Sequence, residues 1–78
     1  MSVIKIYVNG EIMVINNEFT ISKLISDLDL VIDKIAIEKN KEIVHLEEYS
    51  KVYLKDGDCL EVIHFVGGGW LTVNFQYN

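Results

Sequence analysis

Val3-Ile4-Lys5-Ile6-Tyr7-Val8-Asn9-Gly10-Glu11-Ile12-Met13-Val14-Ile15 decides the architecture at its first turn. Two β-branched runs flank Asn9-Gly10, a pair able to adopt positive φ, and that arrangement is the strongest short-range hairpin signal. Alternate side chains of a strand share a face, so Ile4, Ile6 and Val8 line one side of the first strand and Lys5 and Tyr7 the other.

After the connection Asn16-Asn17-Glu18, Thr20 precedes Ile21, Leu24, Ile25 and Leu28. The spacing i, i+3, i+4, i+7 is the stripe of an amphipathic helix, and the Thr20 hydroxyl is placed to accept a bond from an early backbone N–H. Lys23 stands where a reciprocal capping box wants Glu or Gln, so the cap is one-sided. Asp27, Asp29 and Asp33 fall at or past the helix end, where the macrodipole disfavours acids. The helix is expected to be short and to stop near Asp29.

Downstream, Ile35-Ala36-Ile37-Glu38 reads as a third strand and Lys39-Asn40-Lys41-Glu42 as the turn into Ile43-Val44. Residues 45–51 are polar, with room for one helical turn. Val52-Tyr53-Leu54 reads as a short strand, Lys55-Asp56-Gly57-Asp58 as a turn, and Cys59-Leu60-Glu61-Val62-Ile63-His64-Phe65-Val66 as the longest apolar strand, central in its sheet. One helix over a mixed sheet of four to five strands is an α+β two-layer domain, and a ubiquitin-like β-grasp is the candidate fold. In such a roll the first and last strands lie side by side.

The chain has 78 residues, enough for one small domain, with a net charge of −5 and half its residues hydrophobic. That charge disfavours phosphate-backbone binding, which needs clustered basic residues, and no nucleic-acid partner is expected. No apolar run reaches the roughly 20 residues of a membrane span, so no membrane partner is expected either. Met1-Ser2-Val3-Ile4-Lys5 lacks the pattern of a secretory signal. The single cysteine, Cys59, removes intramolecular disulfides and the usual zinc frameworks, and a reducing cytoplasm is the expected compartment. A domain this small buries only about 60% of its unfolded surface, so a surface read by other proteins is easier to build than a deep catalytic cavity. There is no proline, and three of the five glycines are consecutive, Gly67-Gly68-Gly69.

Asn9-Gly10-Glu11, Thr20 at the head of its helix, residues 35–44, Lys55-Asp56-Gly57-Asp58 and Glu61-Val62-Ile63-His64-Phe65-Val66-Gly67-Gly68-Gly69 together resemble the ThiS family, the small sulfur carriers of thiamine biosynthesis. The likeness runs from residue 3 to residue 69 without an insertion. It implies a β-grasp protein that is a co-substrate and not an enzyme. The terminal glycine carboxylate of such a carrier is adenylated by an E1-like, ATP-using adenylyltransferase and converted to a thiocarboxylate, and the sulfur passes to thiazole synthase. Carried over by position, Gly69 bears the sulfur and Gly67 and Gly68 form the slender tail behind it. No cofactor is bound; ATP is used by the activating partner.

The residues support that carry-over on their own terms. A tail that threads a narrow channel has no room for Cβ atoms, and residues 66–69 reach roughly 13 Å at about 3.3 Å each. The plainer reading of three glycines is a flexible linker. Ile63 and Phe65 alternate with Leu60 and Val62, so they fall on the opposite face; with Val66 they are the candidate partner-docking residues, against packing under a loop or under the extension.

The chain departs from the family pattern in one respect. Residues 70–78 follow the glycines, and a Gly69 carbonyl held in a peptide bond cannot be adenylated. Trp70, Thr72, Asn74 and Gln76 alternate with Leu71, Val73, Phe75 and Tyr77 without a charge, the pattern of a strand with one apolar face. The division is thus a domain over 1–66, a flexible arm over 67–69 and a strand-like extension over 70–78. The extension is a tail removed before function, an accident of where the reading frame ends, or a working strand that adds to its own sheet or mediates self-association. Beside the thiamine carrier stand a molybdopterin-type carrier or protein modifier, and a non-catalytic β-grasp interaction module that uses 70–78 for pairing. Cys59 reads as a structural strand residue, His64 as a half-buried strand histidine against a part in docking the partner, and His45 has no assigned role. No metal-ligand or nucleophile–base constellation emerges, so no catalytic or metal residue is named.

Overall fold

The computed structural model describes residues 2–66 and 69–72. β1 (Val3–Val8) and β2 (Glu11–Asn16) form the expected hairpin, in register from Val3 opposite Asn16 to Val8 opposite Glu11. Asn9 and Gly10 both take positive φ, 51° and 84°, the turn whose twist matches that of the flanking strands.

Helix α1 (Ile21–Asp27) begins as the cap predicts: Thr20 Oγ1 accepts from the Lys23 N–H at 3.1 Å. Its end is built from the chain that follows. Asp29 turns left-handed at φ 56°, the Asp29 N–H donates to the Ser26 carbonyl and the Leu30 N–H to the Ile25 carbonyl. Those two crossed bonds are a Schellman closure, which satisfies carbonyls that would otherwise be orphaned. Ile21, Leu24 and Ile25 are buried, and Leu28 and Leu30 pack at the edge of the core.

β3 (Ile35–Lys39), preceded by a 3-10 turn over Ile32–Lys34, pairs antiparallel with β4 (Glu42–Val44). Asn40 and Lys41 close that second hairpin at positive φ. A further 3-10 turn, Leu46–Glu48, leads to Tyr49, whose burial raises its phenol above the ordinary range.

Val52-Tyr53-Leu54 does not join the sheet. It meets the approach to α1 through a lone bridge between Thr20 and Tyr53, with Leu54 N–H donating to the Phe19 carbonyl at 2.8 Å and Ile21 N–H to the Val52 carbonyl at 3.1 Å. The apolar run found its burial beside the helix: Leu54 is inside the core, so the segment had no need of a ladder.

The 55–58 turn pins three elements together. Gly57 N–H donates to the Lys5 carbonyl, and Lys5 N–H to the Asp56 carboxylate. Buried Asp58 accepts from the Lys55 N–H and the Asn40 carboxamide. A buried carboxylate is tolerable when its oxygens are so occupied.

β5 (Cys59–Val66) is central, as expected. The sheet order is β2-β1-β5-β3-β4, with β1 and β5 parallel neighbours, and a sixth strand, β6 (Gly69–Thr72), pairs with β5 off that path. The five-strand path matches the sequence expectation; the sixth comes from the start of the extension. Ile6, Val8, Ile37, Leu60 and Val62 from the sheet close on Ile21, Leu24 and Ile25 from the helix, giving one core between two layers. No helix among the described residues is long and apolar enough to cross a membrane.

Candidate functional site at the carboxyl end of β5

Alternation along β5 sets the site. Leu60 and Val62 point into the core at 1% exposure each, so Ile63 and Phe65 lie on the sheet face away from the helix. Ile63 is half-buried there, and Phe65 is 42% exposed. The register places Ala36 beside Ile63 and Glu38 beside Glu61, with Ile43 next to Glu38 on the far side. The open face therefore carries two acids in direct register, bordered by the exposed apolar residues Ile43 and Phe65. Like charges opposite one another on a sheet cost stability unless something else draws on them.

β5 outruns β1. The parallel ladder holds only Tyr7 to Cys59 and Val8 to Leu60. The next position is taken over by a side chain: Asn9 Oδ1 accepts from the Val62 N–H at 2.8 Å, and Asn9 Nδ2 donates to the Val62 carbonyl at 3.1 Å. Beyond it β6 takes the same edge, antiparallel, with Val66 opposite Gly69, Phe65 opposite Trp70, His64 opposite Leu71 and Ile63 opposite Thr72.

Gly69 thus sits in a ladder. A Cβ built on it would meet nothing within 4 Å, and it has no positive φ. Among the described residues nothing demands glycine at 69. Gly67, Gly68 and residues 73–78 lie outside the described residues, and Val66 is placed by its backbone in β5.

Of the remaining candidates, Cys59 is exposed at the head of β5, with its thiol 3.8 Å from the Gly57 carbonyl. His64 is half-buried in the middle of β5, opposite Ile35, and His45 is exposed before the 3-10 turn. Among the described residues no three of His, Cys, Asp and Glu gather as metal ligands. Sequence reasoning missed the Asn9 clamp and the register of β6. The length of the last strand against the first, eight residues to six, was the available signal for both.

A model of the ThiS family matches residues 6–69, ending on the last of the three glycines. The chain is 44% identical over 50 residues to the sulfur carrier protein ThiS of Bacillus subtilis, covering 64% of this chain and 76% of that protein. It is 38% identical over 65 residues to a thiazole synthase of Paramagnetospirillum magneticum, and 38% identical over 81 aligned positions to one of Magnetococcus marinus. Those matches cover 83% and 95% of this chain, which spans only a fifth to a quarter of the two synthases. Residues 1–69 make up about 88% of the 78, so the Magnetococcus match necessarily runs past Gly69 into the extension. Among solved structures, a thiamine biosynthesis protein (ThiS) from Geobacter metallireducens superposes with a TM-score of 0.73 at 28% identity, over 85% of this chain and all of that one.

Proposed function

This chain belongs to the ThiS family, and from that premise we propose that it is a sulfur carrier of thiamine biosynthesis, a protein co-substrate and not itself a catalyst. The observation that carries the reading is the end of the family match on Gly69, a glycine that no described neighbour requires. A position without a side chain and without a local need for that is suited to a partner's narrow channel.

Water hydrolyses the peptide bond between Gly69 and Trp70, giving a Gly69 carboxylate and a free amine on the departing residues 70–78. An E1-like partner lets a carboxylate oxygen attack the α-phosphorus of ATP, and pyrophosphate leaves. A donor of sulfide-level sulfur then forms the C–S bond as AMP departs, leaving a thiocarboxylate. Gly67 and Gly68 give that group a tail without Cβ atoms, suited to a narrow channel. Ile63, Phe65 and Val66 dock the globule on the partner, with the exposed ring of Phe65 as the apolar anchor. Thiazole synthase receives the sulfur, a pairing supported by relatives of that name whose sequence includes a stretch similar to this chain. The compartment is the cytoplasm, where adenylation has its ATP.

Mass spectrometry of protein from its native cell tests this directly. Chains ending at Gly69, a fraction with sulfur replacing one oxygen, are expected; full-length chains alone would refute it. The pairing of β6 with β5 favours one second reading, an interaction module whose extension is a permanent strand, and the same spectrum decides between them.

A further inference from the structure

The two edges of β5 are occupied unequally. On one, β3 pairs as far as His64, opposite Ile35. On the other, β1 stops at Leu60, the Asn9 carboxamide takes Val62, and residues 63–66 are left to β6. We propose that this edge, residues 63–66 of β5, is an acceptor slot for one short antiparallel strand of a protein partner, and that Gly69–Thr72 is its tethered occupant until the chain is cut after Gly69.

The slot has a fixed length. Asn9 already holds both backbone groups of Val62, so an incoming strand pairs from Val66 to Ile63 and stops. It has a chemistry as well. Its present occupant, Gly-Trp-Leu-Thr, is uncharged, and the β5 residues it meets, Ile-His-Phe-Val, include no acid or base apart from His64. An uncharged strand with alternate apolar residues, exposed on the surface of a partner, fits; a charged one does not.

The slot is also gated by a covalent event. Two residues separate Val66 from Gly69, and such a short tether holds its strand at an effective concentration of about millimolar. A partner strand at cellular concentration does not compete with that. Cutting after Gly69 removes Trp70, Leu71 and Thr72, three of the four paired residues. The bared edge is then an apolar strand with unpaired backbone groups, the kind that proteins cover or lose to aggregation. The order is therefore cut first, dock second. This rests on the reading that Gly69 becomes the terminus.

The test uses a synthetic peptide with the sequence of residues 69–78, titrated into the isotope-labelled full chain and into its Leu71→Pro variant. Proline within a ladder loses its N–H and vacates the edge. Among the described residues the buried core draws on positions from Ile6 to Val62, and circular dichroism checks that the variant keeps it. Amide shifts at residues 63–66 of the variant are expected, with affinity at least about tenfold above that of the intact chain. A peptide with proline at its third position should not bind. Equal binding by the intact chain, or shifts confined elsewhere, overturns the proposal. A chain ending at Gly69 supplies a second vacated edge if circular dichroism shows that Leu71→Pro has lost its fold. The terminus found in cells is read separately by mass, so a failed carrier reading and a failed slot give different results.

Discussion

The Asn9 carboxamide grips both backbone groups of Val62, accepting at 2.8 Å and donating at 3.1 Å across 53 residues of sequence. The same residue turns the first hairpin at φ 51°. One side chain thus ends β1, stands in for a strand residue beside β5 and marks where β6 must stop. Backbone groups of a buried strand need partners, and here an amide side chain reproduces the donor–acceptor pair of a peptide.

Asn9→Gly separates these roles. Glycine keeps the positive φ without cost but leaves Val62 N–H and C=O without the carboxamide. A loss of about 1–3 kcal/mol is expected, with hydrogen exchange at the Val62 amide accelerated while Tyr7 and Asn9 amides, bonded to Asp58 and Leu60 carbonyls, stay protected. Unchanged exchange at Val62 would show that the clamp contributes nothing.

Much of this was legible in the residues. Asn9-Gly10 set the hairpin, Thr20 and the 21-24-25-28 stripe set the helix, and the Leu60–Val62 alternation set which face of β5 is buried, because each of these signals acts within a few residues. What was not legible acts over distance. Nothing local tells an Asn in a turn that its carboxamide will meet residue 62. Val52-Tyr53-Leu54 has strand composition yet packs beside the helix, since burial, rather than pairing, was what its apolar residues required. The extension's period-2 pattern showed a strand but not which edge would receive it.

Lys41 closes the second hairpin at φ 71°, a region that costs a residue with a Cβ about 1–2 kcal/mol. It is exposed and lies at the turn itself. Lys41→Gly should raise stability by about 0.5–1 kcal/mol, the strain relieved being partly offset by the greater freedom of glycine in the unfolded chain. The urea midpoint measures this, and a decrease would mean that the Lys41 side chain makes a contribution exceeding its backbone strain.

Tyr49 is buried with its phenol pushed above the ordinary range. The folded state therefore favours the neutral form. Its contribution is complete below the unfolded value of about 10 and is lost as pH rises through the higher folded value. Unfolding midpoints at pH 8 and pH 11 should fall more for the native chain than for Tyr49→Phe, which has no proton to lose. Parallel declines in the two proteins would assign the alkaline loss to other groups.

Gly69→Ala isolates the partner's requirement from the fold's. A Cβ there meets nothing within 4 Å and the backbone is not left-handed, so stability should change by no more than about 0.5 kcal/mol. Thiocarboxylate formation should fall by about a hundredfold, the scale at which small misplacements of a reacting group act. Loading at the native rate would mean that the activating partner does not read position 69.

Ending the chain at Gly69 should lengthen the working arm without unfolding the domain. Among the described residues the last member of the core cluster is Val62, and the Geobacter relative is matched along its whole length by 85% of this chain. Backbone groups alternate between the two edges of a strand. Leu60 and Val62 present theirs to β1 and Asn9, so His64 and Val66 present theirs to β6 while Ile63 faces Ala36 of β3. Once Trp70, Leu71 and Thr72 are gone, His64 and Val66 lose the strand that covers them, and the arm runs from residue 66 to residue 69, about 13 Å at 3.3 Å per residue. Amide exchange at His64 and Val66 should accelerate by at least about tenfold on truncation, while that at Ile63 changes less. Protection persisting at 64 and 66 in the shortened chain would show that the end of β5 is held by something other than β6, and that the arm is only as long as its three glycines.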